Sequence, residues 1–598
     1  MQETVTRSEI PTEQTWDLRD LFADQQAWET EVEAIPAVLE QVKAYKGKIA
    51  ESAEMLLGVL KESDKLQERF TKVLTYAHLS ESADGSDPLN QANAARAASL
   101  QAKVSAETSF IKSEILQLSD QHIAECIVVE PELAEFQKQL DDLLETQPYR
   151  LSPEAENVLA AFTEVHQAPF MIYERSKSSD LHFPSFTTSA GTEYPLTFNT
   201  FANYETSADT EVRRKAYKTF YEALANYQNT YAAALATEIK KEVVESRLRG
   251  YDSVTDMLLH KQDVTQDMYH RQLDTIQEEL APHMRRFAKL KQRVLGLEEM
   301  TYADLKAPID PDNSPAMTYD EAGELVLEAL KPMGDEYMDF MKQGVHNRWV
   351  DYANNHGKRS GAFCSSPYGV HPYILVTWNN SMQDAFTLAH ELGHAGHFSL
   401  AGRYQRISNT RPSMYFIEAP STMNEMLLSQ HILSKYDDPA MRRWVILQSL
   451  GTYYHNFVTH ILEGELQRRI YKKADEDVPI TTDILNGEKK ALLEDFWGDA
   501  VTIDDDAGLT WMRQPHYYMG LYPYTYSAGL TASTAAAQKF KTEGQPAIDR
   551  WLETLKAGGT LKPQELMQKA GVDMTTKEPI QEAVAYVGSL VDELERSF

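Results

Sequence analysis

Leu56-Leu57-Gly58-Val59-Leu60, followed in the same run by Phe70-Thr71-Lys72-Val73-Leu74-Thr75-Tyr76-Ala77, sets apolar side chains at steps of three and four between charged ones. That spacing lines one face of an α-helix and fits no strand. Outward from it, the same rhythm spans Trp28 to about Leu118, then Leu133 to Leu144 and Glu154 to Val165. Ser207 or Asp209 caps a further run to about Leu248, stopped by Gly250, and another runs from Thr265 to Val294. The 298–318 segment, with Pro308, Pro311 and Pro315, is a connection, after which helical patterns return at Tyr319–Leu330, Tyr337–Lys342, Gln383–Leu400 and from Glu418 onward. Two patches break the rhythm. Phe183 to Phe201 reads as a β-hairpin turning at Gly191, and Pro372 to Trp378 as a β-branched, aromatic strand. The expected fold is therefore mainly α with small β insertions. An N-terminal helical region, 1–200, carries the hairpin near its end, and a larger region, 201–598, follows.

The chain has 598 residues with 58 basic and 90 acidic side chains, a net charge of −32. Such an excess repels nucleic-acid phosphates and anionic membrane, so neither is an expected partner. No stretch reaches the roughly 18–20 apolar residues a membrane helix needs, and Met1 to Thr15 lacks the apolar core of a secretory signal. Cys126 and Cys364 are the two cysteines, far apart and without ligand spacing. They read as buried or half-buried thiols in a reducing cytoplasm.

Chemistry concentrates at His390-Glu391-Leu392-Gly393-His394. Histidines four apart on a helix project from one face and grip one zinc ion, and the glutamate between them is placed to take a proton from a water at the open position. A third protein ligand is then required. His397 extends the motif, but seven residues of helix rise about 10.5 Å, too far for one ion to bind both ends, so it reads as a packing or supporting residue. Glu418 is the stronger candidate, since it lies in the apolar Tyr415-Phe416-Ile417-Glu418-Ala419-Pro420-Ser421, where a bare carboxylate is costly. Glu425, seven residues on and on the same face, is the alternative ligand or a residue that orients one.

His390-Glu391-Leu392-Gly393-His394 followed by Glu418-Ala419-Pro420-Ser421 resembles the thimet-oligopeptidase family of zinc metallopeptidases, and within it the oligoendopeptidase F branch. Thr15-Trp16-Asp17-Leu18-Arg19-Asp20-Leu21-Phe22, Gly357-Lys358-Arg359-Ser360-Gly361-Ala362-Phe363 and the tyrosine-rich region after His516 agree, so the likeness runs nearly end to end. The resemblance implies a large two-lobed helical body enclosing a deep channel. It also implies one Zn2+ per chain held by His390, His394 and Glu418, with Glu391 as general base, and short peptides as substrates.

His516 to Tyr526, His-Tyr-Tyr-Met-Gly-Leu-Tyr-Pro-Tyr-Thr-Tyr, holds five tyrosines in eleven residues. Phenols suit a site where an oxyanion forms, each offering one donor on a rigid arm. The resemblance assigns His516 and at least two of these tyrosines to substrate and oxyanion. Tyr526 is the first choice, because Tyr524-Thr525-Tyr526 matches the family's Tyr-Gly-Tyr, although its spacing from His516 is two residues shorter than in the thimet branch. Tyr522 is second, and Tyr524 is a further substrate contact. Tyr373 opens the strand ending at Trp378, read either as part of a small sheet or as an edge that pairs with an extended peptide. Asp504-Asp505-Asp506 lacks the ligand spacing of a calcium loop and reads as an acidic surface turn. A helical carboxypeptidase would need a fixed cation for the terminal carboxylate, and no arginine stands out for that task; a non-catalytic peptide binder would not need the intact His390, Glu391, His394 and Glu418 set.

Overall fold

A computed structural model describes residues 5–598, a mainly helical chain with five short strands among the described residues. The expected helical runs are present and are cut where the sequence supplies caps and stops. The run from Trp28 becomes three mutually packed helices, Gln25–Lys43, Ala53–Ala83 and Pro88–Ile115. Ser52 caps the second by accepting from the Met55 amide, and Asp87 with Pro88 starts the third. The run read through Leu248 is two helices, Thr210–Ala225 and Gln228–Arg249, parted at Asn226-Tyr227. Asp209 caps the first, and Gly250 ends the second at φ 80°.

Burial divides the apolar residues between two main cores. One, from Trp28 to Leu144, is built by the N-terminal helices; the other, from Tyr173 to Leu594, takes in the remaining body. The hairpin, β1 (Phe186–Thr187) paired antiparallel with β2 (Glu193–Tyr194), packs Phe186 and Leu196 into the larger core and so does not belong with the N-terminal helices. Among the described residues no helix is long and apolar enough to cross a membrane.

Three strands form a small sheet ahead of the metal motif: β3 (Val350–Asp351), β4 (Phe363–Ser365) and β5 (Tyr373–Leu375), in the order β3-β5-β4. β3 runs parallel to β5 and β4 antiparallel. The strand expected at 372–378 is therefore present but shorter. It is also central, so an incoming peptide cannot pair with it; β4, with β5 on one side only, supplies an open edge. Buried Asp351 ties the sheet to its surroundings. It accepts from Arg7 and, at 2.8 Å, from Lys358, whose ammonium also reaches the carbonyls of Ala353 and Val376 at 2.7 Å each. Trp16, Leu21, Leu79 and Ala83 cover the outer side of β5 against Tyr373 and Leu375. The 357–363 and 15–22 stretches thus serve as structural support for the sheet.

Candidate metal centre and active site

Three helices meet at the site. The motif helix, Met382–Tyr404, starts with a capping box in which Ser381 and Asp384 satisfy each other's backbone amides. The helix Ala419–Lys435 follows with Glu418 at its N-cap and Pro420 in its first turn, where a missing N–H costs nothing. The helix Thr525–Glu543 carries Tyr526. Glycines allow the close approach that brings these helices together. A Cβ on Gly393 would fall 2.5 Å from the Pro420 carbonyl oxygen, and one on Gly529 3.1 Å from both the Ala419 nitrogen and Glu418 Cβ.

The packing delivers His390 Nε2 and His394 Nε2 each to 3.3 Å from the same Glu418 oxygen, Oε2. Ser421 Oγ donates to that oxygen at 2.9 Å and fixes the carboxylate. Glu425, the other carboxylate considered, faces the back of His390 and accepts from Nδ1 at 2.6 Å, with Thr452 donating to its second oxygen at 3.2 Å. Both its oxygens are thus engaged, on the far side of His390 from Glu418. Its bond holds the proton on Nδ1, so Nε2 is the nitrogen that would face a metal once its own proton is displaced. Glu391, 5% exposed, lies within electrostatic reach of both histidines, Glu418 and Glu425. Burial raises its carboxyl above the usual range. Burial pulls His390 down, but Glu418 and Glu425 outweigh it and hold the imidazole well above its ordinary pKa. Two imidazole nitrogens and one carboxylate oxygen, all within 4.8 Å of one another and short of positive charge, suit a zinc ion with a further position open.

His397 is fully buried between Phe398 and Phe416, and neither ring nitrogen finds a hydrogen-bond partner. Burial presses its pKa down to about 3, so it packs as a neutral ring. Cys364 on β4 is close enough to Glu391 to feel its charge; burial pushes the thiol up to about 12, which keeps it protonated and a poor nucleophile. The three aspartates at 504–506 are occupied by protein groups: Tyr217 donates to Asp504 at 2.7 Å, Lys490 pairs with Asp505 at 2.6 Å, and Lys218 with Asp506 at 2.9 Å.

The tyrosine-rich segment splits into two sides. His516, Tyr522 and Tyr526 form one cluster, their ring centroids 5.0–5.7 Å apart, and the Tyr526 hydroxyl donates to that of Tyr522 at 3.3 Å. Tyr526 is near enough to Glu418 for that charge to act on it, although burial is the larger cause of its raised pKa. Burial lowers His516, and its Nδ1 has no partner. Tyr524 turns the other way. It is fully buried against Tyr269, with its hydroxyl donating to Gln262 at 2.7 Å, and so makes no substrate contact. Tyr373 is likewise enclosed, edge-on to Trp16, and its side chain is removed from any substrate.

Three residues at this cluster escaped the sequence reading. His460 stacks flat on Tyr526 with centroids 4.1 Å apart. Its Nδ1 meets Glu463 at 2.7 Å and its Nε2 meets His455 Nε2 at 3.1 Å. The His460–Glu463 spacing of three on a helix was the available signal. His460, Glu463 and His516 could by distance surround a second ion. Both nitrogens of His460 and both oxygens of Glu463 are already bonded, however, and buried Lys489 adds a positive charge beside Glu463.

Residues 203–586 match the profile of peptidase family M3 and residues 114–183 that of oligopeptidase F. Oligopeptidase PepF of Bacillus subtilis is 33% identical over 98% of this chain and 88% of its own length. Group B oligopeptidase PepB of Streptococcus agalactiae is 29% identical over 98% of each. Among solved structures, oligoendopeptidase-F from Enterococcus faecium superimposes with a TM-score of 0.74 at 27% identity, over 96% of this chain and 99% of that one. A structure from Chlamydophila abortus reaches 0.91 at 27% identity over 100% of both. The chain belongs to peptidase family M3, within its oligopeptidase F branch, and is a metallopeptidase.

Proposed function

We propose that this chain is a zinc-dependent endopeptidase that cleaves bonds within short peptides. The observation that carries the reading is the convergence of His390 Nε2 and His394 Nε2 on one oxygen of Glu418, with the buried carboxyl of Glu391 beside them. His390, His394 and Glu418 would hold the metal. Zinc at this position supplies Lewis acidity, which lowers the pKa of a water and polarises a peptide carbonyl. Glu391, buried beside both histidines, would take the proton of that water and later return it to the leaving amine. Tyr526 donates to the developing oxyanion. Its present bond to Tyr522, 3.3 Å, is long and easily exchanged for a charged acceptor. His516, half-buried in the same cluster, offers a second polar contact to the substrate backbone. An extended peptide would pair along the open edge of β4, through main-chain bonds that are indifferent to side chains. The two unpaired cysteines suit a reducing cytoplasm.

The test is Glu391→Gln, assayed with a fluorogenic peptide blocked at both termini. The variant should retain one zinc per chain and lose turnover, and Glu418→Ala should lose the metal. Full activity of Glu391→Gln would remove the general-base assignment. Failure of the wild-type enzyme to cut the doubly blocked peptide would turn the reading from an endopeptidase toward a carboxypeptidase.

A further inference from the structure

Behind the His460 layer lies a cavity of about 780 Å3, within the size range of ligand pockets. His455, Glu463 and Gln514 face it, and His460, bonded to both His455 and Glu463, stacks on Tyr526. The cavity is thus one side-chain layer from the tyrosine assigned to the oxyanion.

Its charged walls can be accounted for one group at a time. Arg513 and Lys306 both pair with Glu205, at 3.1 Å and 2.8 Å. Lys291 donates to the Leu305 and Ala307 carbonyls at 2.7 Å and 2.9 Å. Asp310 is held by Arg443 at 2.9 Å. Glu463 is bonded through one oxygen to His460 at 2.7 Å and through the other to Gln514 at 2.6 Å. Lys489 remains. It lines the cavity, is 5% exposed, and has no hydrogen bond or ion pair among the described residues. Burial lowers its pKa, while the charge of Glu463 acts the other way. A buried ammonium with donors uncommitted is costly unless something arrives to accept them. Glu205, Asp310 and Glu463 nearby disfavour a dianion, and a single carboxylate matches one ammonium.

We propose that this cavity receives a carboxylate of the bound peptide, from its C-terminus or from an acidic side chain, and that Lys489 is the anchor. The inference rests on the peptidase reading and deepens it. Lys489 lines the cavity and Tyr526 does not, so the anchored group would lie apart from the oxyanion position. Lys489 lies on the helix Thr482–Trp497.

The test uses the zinc-loaded full chain carrying Glu391→Gln, so that peptides survive, and three fluorescent, N-blocked peptides of one neutral sequence. These are the free acid, its amide, and an amide ending in Glu. Anisotropy at fixed salt should show the free acid binding about 10- to 100-fold tighter than the plain amide, the usual range for a charge-assisted hydrogen bond. The Glu-ended amide will match the acid if side chains are accepted, and the plain amide if only the terminus is. Lys489→Met should bring the three affinities together. Equal binding of all three peptides by the chain with Lys489 intact overturns the anchor, as does a Lys489→Met loss that is uniform across the three. If no peptide binds and the chain with Glu391 intact cuts none, the peptidase reading falls and the anchor with it. If peptides are cut but all three bind alike, only the anchor falls.

Discussion

Gly393 sits at a tight contact between the motif helix and the Glu418 segment, so Gly393→Ala tests whether backbone contact sets the metal geometry. The added Cβ would lie 2.5 Å from the Pro420 carbonyl oxygen and 2.6 Å from Ser421 Cα, both backbone atoms that cannot swing aside. Reaching ordinary contact at 3.4 Å requires the segments to part by 3.4 minus 2.5, or 0.9 Å. Metal–ligand distances tolerate only about 0.2 Å. Glu418, two residues from Pro420, moves with that segment, while His390 and His394 stay on the helix being pushed. Zinc affinity should fall by about 10- to 100-fold, as when a partner of a metal-bound imidazole is lost. Overpacking should also cost about 1–3 kcal/mol of stability. The assay is competition with a chelator of known affinity, with thermal melting recorded separately. Gly402→Ala, in the same helix with nothing within 4 Å of its Cβ, is the control and should bind zinc normally. Wild-type zinc affinity in Gly393→Ala would refute the reasoning.

Three further outcomes are expected. Glu425→Gln removes the carboxylate that fixes the His390 Nδ1 proton at 2.6 Å, and zinc affinity should drop by about 10- to 100-fold; an unchanged value by the same competition would make Glu425 a packing residue. Tyr526→Phe should lower kcat by about 100- to 1,000-fold with little change in KM, whereas Tyr524→Phe, whose hydroxyl serves Gln262, should leave steady-state rates near wild type. Burial pushes Glu242 up to about 7 from 4.5, although Tyr471 donates to it, so the folded chain favours the protonated form. Its stabilising effect is complete below about pH 4.5 and is lost as pH rises through 7, a change of about 3 kcal/mol. Glu242→Gln should flatten this part of the stability profile, and urea midpoints at pH 5 and 8 that shift alike in both proteins would contradict it.

What the sequence disclosed follows from how local each feature is. The 390–394 motif is written in one helical turn, and the cost of an unpaired carboxylate picks out Glu418 without any coordinates. The tyrosine cluster was visible as a cluster, but its members were not sorted. Tyr522 and Tyr526 pack ring to ring while Tyr524 enters the core, and since the helix begins only at Thr525, no periodicity in the sequence sorts them. β5 was legible from its β-branched and aromatic residues. Its central place was not, because β3 and β4 are two and three residues long and leave no periodic trace. Lys489 was illegible for another reason. Its importance lies in what its neighbours are already bonded to, and every one of those bonds depends on tertiary packing.

The pairing of the first residues with the β-sheet also constrains how the chain is made. Arg7 and Thr15 find their partners, Asp351 and Arg348, 344 and 333 residues later. At about 5–20 residues per second, ribosomal synthesis leaves this opening segment without its partners for roughly 15–70 s. The N-terminal helices can pack in that interval, but Arg7 and Thr15 cannot pair. Arg7 and Thr15 are therefore made early and secured late, whereas Trp16 already has Leu79 and Ala83 to pack on.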